Sequence, residues 1–182
     1  MPILKKITTE ILHTNPWWSY KHDHYLLADD QETDYYYAQI GPASLIIPVL
    51  GDGRLVLVRQ YRYLHDKYNI EFPCGRSKAD ETSLDTAKRE LLQETGFTAG
   101  NPMKIAEFEP AHAFCQHKIN VFVDDEIKNQ QEPTPQEGEI IEVIVRRIDE
   151  FEIMVKRGEI NDGTSLAAWA IARDHVKNLI HS

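Results

Sequence analysis

Alternation of apolar and polar residues predicts β-strands along much of the chain. Residues 16–28 and 34–40 alternate in this way, and the polar segment between them predicts a turn. The further strand candidates are 44–50, 55–62, 68–72, 103–108, 119–125 and 140–148. The turn at 51–54 predicts that the strands on either side of it form a hairpin of buried strands.

A helical period appears in three segments, which are 83–95, 149–157 and 164–180. In the first of them the apolar stripe consists of Leu84, Ala87, Leu91 and Thr95. Thr82 or Ser83 supplies an N-terminal cap, and Gly96 stands where helices end in a left-handed residue. Strands outnumber helices in an order that is not strictly βαβ, so we expect an α/β fold with a mixed sheet flanked by helices.

Composition and charge limit the classes of partner. The chain has 182 residues, of which 42% are apolar and 27% charged, as is ordinary for a soluble globular protein. A net charge of −9 argues against nucleic acid as a partner, because duplex binding relies on clustered Lys and Arg. A polyanionic substrate would therefore need a bound cation or a few well-placed arginines.

The two cysteines, Cys74 and Cys115, allow at most one disulfide. No apolar stretch approaches the roughly 18 residues of a membrane span, and the first residues lack the apolar core of a signal peptide. We expect a reduced, cytoplasmic protein that does not enter a membrane.

Two carboxylates on the first helix pose the main question about function. Glu90 and Glu94 are one turn apart beside Ala87, on the flank of the buried stripe. Like charges in that position repel each other, and more strongly where water is excluded. They form either a solvated acidic surface or a site for a hard divalent cation, for which carboxylate oxygens are the preferred ligands.

The residues around this pair resemble the Nudix hydrolase signature. Gly75, Glu81, the triplet 89–91, Glu94 and the pair 96–97 occur with the spacing of that signature. Position 93 departs from it, because the family has a glutamate where this chain has Gln93.

The resemblance implies a Nudix fold, an α/β/α sandwich, and hydrolysis of a nucleoside diphosphate linked to another group with Mg²⁺ or Mn²⁺. It implies that Glu90 and Glu94 are direct metal ligands and that Cys74 adds its main-chain carbonyl. Arg89 would orient the loop as a structural residue of the motif, together with Gly75, Glu81 and Gly96. With an amide at Gln93 one metal site is expected and the number of further metals stays open. A catalytically weak, ligand-binding Nudix domain remains the rival from another class.

Residues 58–62, 70–75 and 158–172 resemble the ADP-ribose pyrophosphatase branch of the family. This resemblance implies that Arg62 clamps the diphosphate, with Arg59 as the second choice; the alternative for Arg62 is an arginine at the end of a strand. Glu71 either supports the metal site or pairs with Arg62 or Lys67.

A long polar loop at 126–139 ends in two glutamates, Glu137 and Glu139. They match loop glutamates that, in this branch, bind a metal or act as the base on the attacking water, and the alternative is a solvated acidic loop. Glu139 is favoured because it adjoins the next strand.

The resemblance makes ADP-ribose the first candidate substrate, with AMP and ribose 5-phosphate as products. Residues 107–118 lack the Ser-Pro-Gly turn that is usual in this branch, so nucleotide sugars such as UDP-glucose or GDP-mannose stay open.

The N-terminal aromatic residues complete the sequence predictions. Residues 1–42 are expected to form an antiparallel strand extension of the Nudix domain at 43–182. The branch implies a homodimer with swapped strands, in which Trp17 or Trp18 stacks on the base; core packing is the simpler alternative. His22 and His24 have the spacing of a metal pair but lack further ligands at zinc-like spacing, which favours an exposed strand.

Overall fold

The computed structural model describes residues 4–180, which form two compact units. The first unit comprises 4–42 and 109–118, and the second comprises 43–108 and 119–180. The division into 1–42 and 43–182 made from the sequence stays a prediction, and residues 1–3 and 181–182 lie outside the described range.

Strands and helices are numbered in chain order. The strands are β1 Lys5–Thr14, β2 Trp18–Leu26, β3 Glu32–Ile40, β4 Ala43–Pro48, β5 Leu55–Arg62, β6 Lys67–Glu71, β7 Cys74–Arg76, β8 Phe97–Thr98, β9 Met103–Phe108, β10 Cys115–Gln116, β11 Ile119–Asp124, β12 Lys128–Gln130 and β13 Ile141–Arg146. The α-helices are α1 Ser83–Thr95, α2 Ile148–Lys156 and α3 Gly163–Ile180. The three helices predicted from the sequence are thus confirmed to within a residue at each end.

The first unit is one sheet in the order β1-β2-β3-β10. The antiparallel pairing of β2 with β3 confirms the two strands predicted from alternation. Strand β1 had no counterpart in the sequence prediction, and all ten of its side chains are exposed. It is fastened to β2 by Asp23, which is buried, pairs with Lys6 and accepts a hydrogen bond from Thr9 at 2.7 Å.

The second unit contains one sheet in the order β7-β4-β11-β9 and another in the order β13-β5-β6. The predicted hairpin of residues 44–50 and 55–62 is wrong, because only one isolated bridge, Val49 to Leu55, joins them. β4 pairs with β7 and β11, whereas β5 pairs with β6 and β13. Burial of both strands was predicted correctly, but burial alone did not identify their partners.

Side chains that alternate along β4 and β11 enter two different cores. On one face, Ile46 and Phe122 pack with Ala87 and Leu91 of α1. The other face packs with α2 and α3 in a larger core that includes Leu45, Ile47, Val121, Val123, Phe151, Ala168 and Trp169. Helices therefore cover both faces of this sheet, as the continuous burial of both strands requires. Within residues 4–180, none of the helices has the length and the apolar composition of a membrane span.

Candidate active site

Helix α1 has a defined start and end. Thr82 caps it, since its hydroxyl oxygen accepts a hydrogen bond from the backbone N–H of Asp85 at 3.1 Å. Gly96 ends it with φ +74°, and a Cβ at that position would lie 1.8 Å from the carbonyl oxygen of Gln131. Both the left-handed conformation and the close approach require glycine there.

Glu90 and Glu94 lie inside the protein and not on a solvated face. Their exposed fractions are 2% and 4%, which excludes the solvated acidic surface considered from the sequence. The carboxylate of Glu94 receives a hydrogen bond from the backbone of Cys74, but its Oε2 has no hydrogen-bond partner within residues 4–180. A buried carboxylate oxygen without a partner destabilises the fold unless a cation or a donor binds it.

Gly75 makes room for one of these carboxylates. A Cβ at position 75 would lie 1.8 Å from Oε1 of Glu90, which is far inside van der Waals contact. The leading glycine of the motif therefore lets the backbone of β7 approach the carboxylate, and any side chain there would displace Glu90.

Arg89 joins the loop before α1 to the helix. Its Nε donates to Oε1 of Glu81 at 2.7 Å, and its Nη2 donates to Oε2 of Glu81 at 2.9 Å and to the carbonyl oxygen of Arg76 at 3.0 Å. Its Nη1 donates to Oε1 of Glu90 at 2.6 Å and to Oε1 of Gln93 at 3.0 Å. A planar guanidinium can hold these acceptors simultaneously, so Arg89 fixes both the loop and the Glu90 carboxylate.

The charges at the site are unbalanced. Burial raises the pKa of Glu94 well above its ordinary value, and the charges of Glu90 and Glu139 raise it further. Burial also raises the pKa of Glu90, against the opposing effect of Arg89. Buried like charges favour the binding of a cation.

A divalent cation fits this set of donors. Within residues 4–180, no three His, Cys, Asp or Glu side chains already converge as a set of metal ligands. The fit rests on the two buried carboxylates and on the partnerless Oε2 of Glu94. Burial raises the pKa of the Cys74 thiol well above its ordinary value, so a thiolate ligand is disfavoured and the main-chain carbonyl predicted for Cys74 is the more suitable donor.

Arg62 pairs with Glu71 near these carboxylates. Nε of Arg62 donates to Oε1 of Glu71 at 2.8 Å, and Nη2 donates to Oε2. This is one of the two alternatives that the sequence left open for Glu71. The Arg62 side chain is 41% exposed, and its Nη1 makes no hydrogen bond to any of residues 4–180. One edge of the guanidinium is therefore available to an anion.

Arg59 does not join this group. Strand alternation puts it on the face of β5 opposite Arg62. It pairs there with Glu142 at 3.0 Å and lies 4.1 Å from the ring centroid of Tyr68. The structure thus separates the two arginines that the sequence analysis offered as first and second choice for binding the diphosphate.

The loop before β13 begins close to α1. Backbone hydrogen bonds join Gln131 to Gly96 at 3.0 Å and Thr134 to Gln93 at 2.8 Å, and β12 pairs with β8. Glu139 lies in a turn in which its Oε2 accepts from the backbone N–H of Gln136 at 2.8 Å. Its charge acts on both Glu90 and Glu94, whereas Glu137 is exposed. Of the two loop glutamates, Glu139 is the one that the structure places near the helix carboxylates.

The remaining candidates lie in the first unit. Trp17 and Trp18 are 66% and 41% exposed, and both backbone N–H groups donate to the side chain of Asn15. His22 and His24 share Oδ1 of Asp34 at 2.7 and 2.9 Å. The exposed strand expected from the sequence is wrong, because most of β2, including both histidines, is half-buried. The histidines have acidic partners and belong to no metal-binding cluster within residues 4–180.

No motif in the sequence marks Asp162 or Ser165, at the start of α3, as functional residues. The hydrogen bond to Glu71 raises the pKa of Arg62, and the negative charge of Asp162 adds to this effect. Asp162 also accepts a hydrogen bond from the backbone N–H of Ser165 at 2.7 Å. An aspartate just before a helix is a typical cap, so the sequence contained a signal for this helix start but none for its position beside Arg62.

A separate cavity of about 610 Å³ is lined by Asp52, Gly53, Arg54, Arg147, Ile148, Asp149, Glu152 and Lys177. Its cations are already paired, Arg54 with Asp52, Arg147 with Asp149, and Lys177 with Glu152. It is therefore a weaker candidate for binding a polyanion than the group around Glu94 and Arg62.

Two buried carboxylates beside a partly exposed arginine form the class of site that suits a divalent cation together with an anionic substrate. The model of the NUDIX domain matches residues 40–169, which shows that the chain belongs to the Nudix hydrolase family. Nudix hydrolases generally use divalent metal ions. The family resemblance stated from the sequence is confirmed.

Two relatives are named for different activities. The chain is 28% identical over 141 residues to the ADP-ribose pyrophosphatase of Bacillus subtilis, covering 77% of this chain and 75% of that protein. It is 26% identical over 127 residues to the methanol dehydrogenase activator of Bacillus methanolicus, covering 69% of each.

The fold also matches a solved structure of an ADP compounds hydrolase with a TM-score of 0.86, covering 98% of this chain and 97% of that one. At 18% identity this match shows the fold alone. It confirms the predicted α/β Nudix fold.

Proposed function

We propose that this protein hydrolyses the diphosphate bond of ADP-ribose, giving AMP and ribose 5-phosphate, with Mg²⁺ or Mn²⁺ as the cofactor. The observation that carries the proposal is the buried pair Glu90 and Glu94, with one oxygen of Glu94 lacking a partner. The similarity to a relative named as an ADP-ribose pyrophosphatase supports the choice of substrate.

In this proposal Glu90, Glu94 and the carbonyl of Cys74 would hold the cation, and Glu139 would contribute to the same site. When bound, the cation supplies positive charge that offsets the charges of the carboxylates and of the diphosphate. Arg89 keeps the Glu90 carboxylate in place through the bond at 2.6 Å.

Side chains of the protein bind the substrate and accept the proton. Arg62 binds the diphosphate through the edge of its guanidinium that Glu71 leaves free, and there it stabilises charge that develops on the phosphate oxygens. Water attacks one phosphorus, a new P–O bond forms, and the bridging P–O bond breaks. Glu139 accepts the proton of the attacking water, and the other phosphate leaves as a monoester.

The proposal also covers base recognition, oligomeric state and cellular compartment. Trp17 or Trp18 stacks on the base, the protein is a homodimer, and it works in the cytoplasm, where the two unbridged cysteines suit a reducing compartment. Exposed aromatic side chains on the first unit support the stacking role.

A substrate panel tests the proposal. Release of AMP or another monophosphate is measured for ADP-ribose, UDP-glucose, GDP-mannose and a dinucleotide, with Mg²⁺, with Mn²⁺ and with EDTA. We expect ADP-ribose to have the highest kcat/KM and EDTA to abolish turnover. Preference for a nucleotide sugar would change the substrate but not the reaction, and binding of ADP-ribose without any turnover would favour the ligand-binding domain.

A further inference from the structure

The junction between β6 and β7 is fastened to the first turn of α3. The ladder of β5 with β6 ends at Glu71, and the ladder of β4 with β7 begins at Cys74. Between them, Pro73 has no N–H, so the one free donor is the backbone N–H of Phe72. It donates to Oγ of Ser165 at 3.0 Å.

This hydrogen bond is protected from water. Phe72 and Ser165 are each 1% exposed, so the amide has no solvent to replace the hydroxyl as its partner. Ser165 is itself held in place, because its backbone N–H donates to Oδ2 of Asp162 at 2.7 Å. The ring of Phe72 packs against Phe151, with ring centroids 5.2 Å apart, and so is anchored in the core.

The segment on either side of Phe72 contacts Arg62 and both helix carboxylates. Glu71 holds Arg62, the backbone of Cys74 bonds to Glu94, and Gly75 lies against Glu90. A shift of this segment would therefore change the separation between the arginine and the two carboxylates. A misplacement of about 1 Å can lower an enzyme's rate by about 10².

We propose that Ser165 is a positioning residue of the active site. Through the Phe72 amide it fixes the segment 71–75, and Asp162 keeps Ser165 in place by capping α3. The inference rests on the proposed function for its kinetic consequences but concerns residues that the motif of the family does not include.

The test compares Ser165→Ala, which removes only the hydroxyl, with Thr164→Ala as the matched control on the same helix turn. We expect Ser165→Ala to lower kcat by about ten-fold to 10²-fold at saturating Mg²⁺ and to raise the Mg²⁺ concentration for half-maximal rate. Thr164→Ala should match wild type in both. Asp162→Asn, which keeps a capping oxygen, should retain more kcat than Asp162→Ala.

Thermal unfolding separates positioning from stability. If Ser165→Ala lowers Tm but leaves kcat and the Mg²⁺ dependence of the folded enzyme within about two-fold of wild type, the hydroxyl is only structural and the inference is wrong. If Ser165→Ala does not fold, Ser165→Cys is measured in its place, because the thiol is close in size but a weaker acceptor. A lower kcat and a weaker Mg²⁺ response of Ser165→Cys would then support positioning, and values within about two-fold of wild type would contradict it.

Calorimetric titration with Mn²⁺ tests the role of Ser165 even if the proposed function is wrong, because it measures metal affinity and not turnover. If wild type cleaves no compound of the panel, the proposed function fails, and Mn²⁺ binding alone decides the role of Ser165. Binding weakened by several-fold in Ser165→Ala but not in Thr164→Ala supports positioning; equal affinities in all three proteins overturn it.

Discussion

Glu94 is a residue whose burial suits cation binding but destabilises the folded protein when no cation is bound. One of its oxygens is buried without a partner, and neighbouring carboxylates raise its pKa further. Such a group lowers the stability of the cation-free protein, because a buried charge lacks the hydration that it has in the unfolded chain. Cation binding should relieve this cost and therefore stabilise the fold.

Glu94→Gln should lower kcat by about 10³, which corresponds to about 4 kcal/mol of lost transition-state stabilisation. It should also abolish the rise in Tm that we expect Mg²⁺ to give the wild type. Kinetics and thermal unfolding, each with Mg²⁺ and with EDTA, check both effects. Wild-type turnover by the variant at saturating Mg²⁺ would remove Glu94 from the site.

Gln93→Glu restores the carboxylate of the family signature. Gln93 already accepts from Arg89 at 3.0 Å, so a glutamate can keep that bond while adding charge beside Glu90 and Glu94. We expect the half-saturating Mg²⁺ concentration to fall before kcat changes. Gln31→Glu, which adds the same charge in the first unit, is the control for the Mg²⁺ titration. Identical curves for Gln93→Glu and wild type would place residue 93 outside the metal environment.

Gly75→Ala should displace the carboxylate of Glu90, since the added Cβ would lie 1.8 Å from its Oε1. We expect a loss of kcat of about ten-fold or more, together with weaker Mg²⁺ binding. Gly51→Ala is the matched control, because a Cβ there meets no atom within 4 Å. Equal kcat values for both variants would show that Glu90 can move without consequence.

At the scale of elements, the loop before α1 and the helix itself are joined by one ion pair. Arg89 bonds both oxygens of Glu81, and this interaction lowers the pKa of Glu81 from 4.5 to about 2. Because the folded-state pKa lies below the ordinary value, folding favours the ionised form. The resulting stability is complete above about pH 4.5 and is lost as the pH falls towards 2.

Glu81→Gln should therefore lower the free energy of unfolding at pH 7 by on the order of 2 kcal/mol. The difference from wild type should shrink between pH 4.5 and the lowest pH at which both proteins fold. Chemical unfolding at several pH values measures it, with the exposed Glu132→Gln as control. A difference that does not depend on pH would show that the ion pair contributes no net stability.

The helices and their caps followed from local signals, as Thr82 and Gly96 show, because caps depend on neighbouring residues alone. Strand pairing did not follow from local signals, since β4 pairs with β7 and β11, and β5 pairs with β13, all of which are distant in sequence. The same limit applies to the site. The spacing of Glu90 and Glu94 indicated a metal site, but the approach of Asp162 to Arg62 depends on tertiary packing.

For the whole molecule, the exposed apolar surface of the first unit bears on assembly. The outer strand β1 exposes Ile7, Ile11 and Leu12, with exposed fractions between 43% and 59%. An edge strand with such side chains is suited to pairing with another chain. This supports the homodimer proposed above.

We expect wild type to sediment as a dimer at micromolar concentration and the double variant Ile7→Asp, Ile11→Asp to shift towards monomer, because charge at these positions opposes burial. Thr8→Asp adds a charge to the same strand without removing an apolar side chain. Analytical ultracentrifugation over a range of concentrations makes the comparison. A monomeric wild type throughout would exclude the dimer.

The two hydrogen bonds that join Gln131 and Thr134 to the end of α1 divide the loop 126–139 into a part that must keep its length and a part that need not. Inserted residues before Thr134 would pull on the helix that carries Glu90 and Glu94. Residues added between Thr134 and Gln136, where the chain is exposed, would lengthen only the segment that leads to the turn of Glu139 and would leave the hydrogen bonds between Gln136 and Glu139 in place. During divergence, variation in loop length should therefore accumulate after Thr134, where it can adjust the reach of Glu139 to substrates of different size while the helix stays in place.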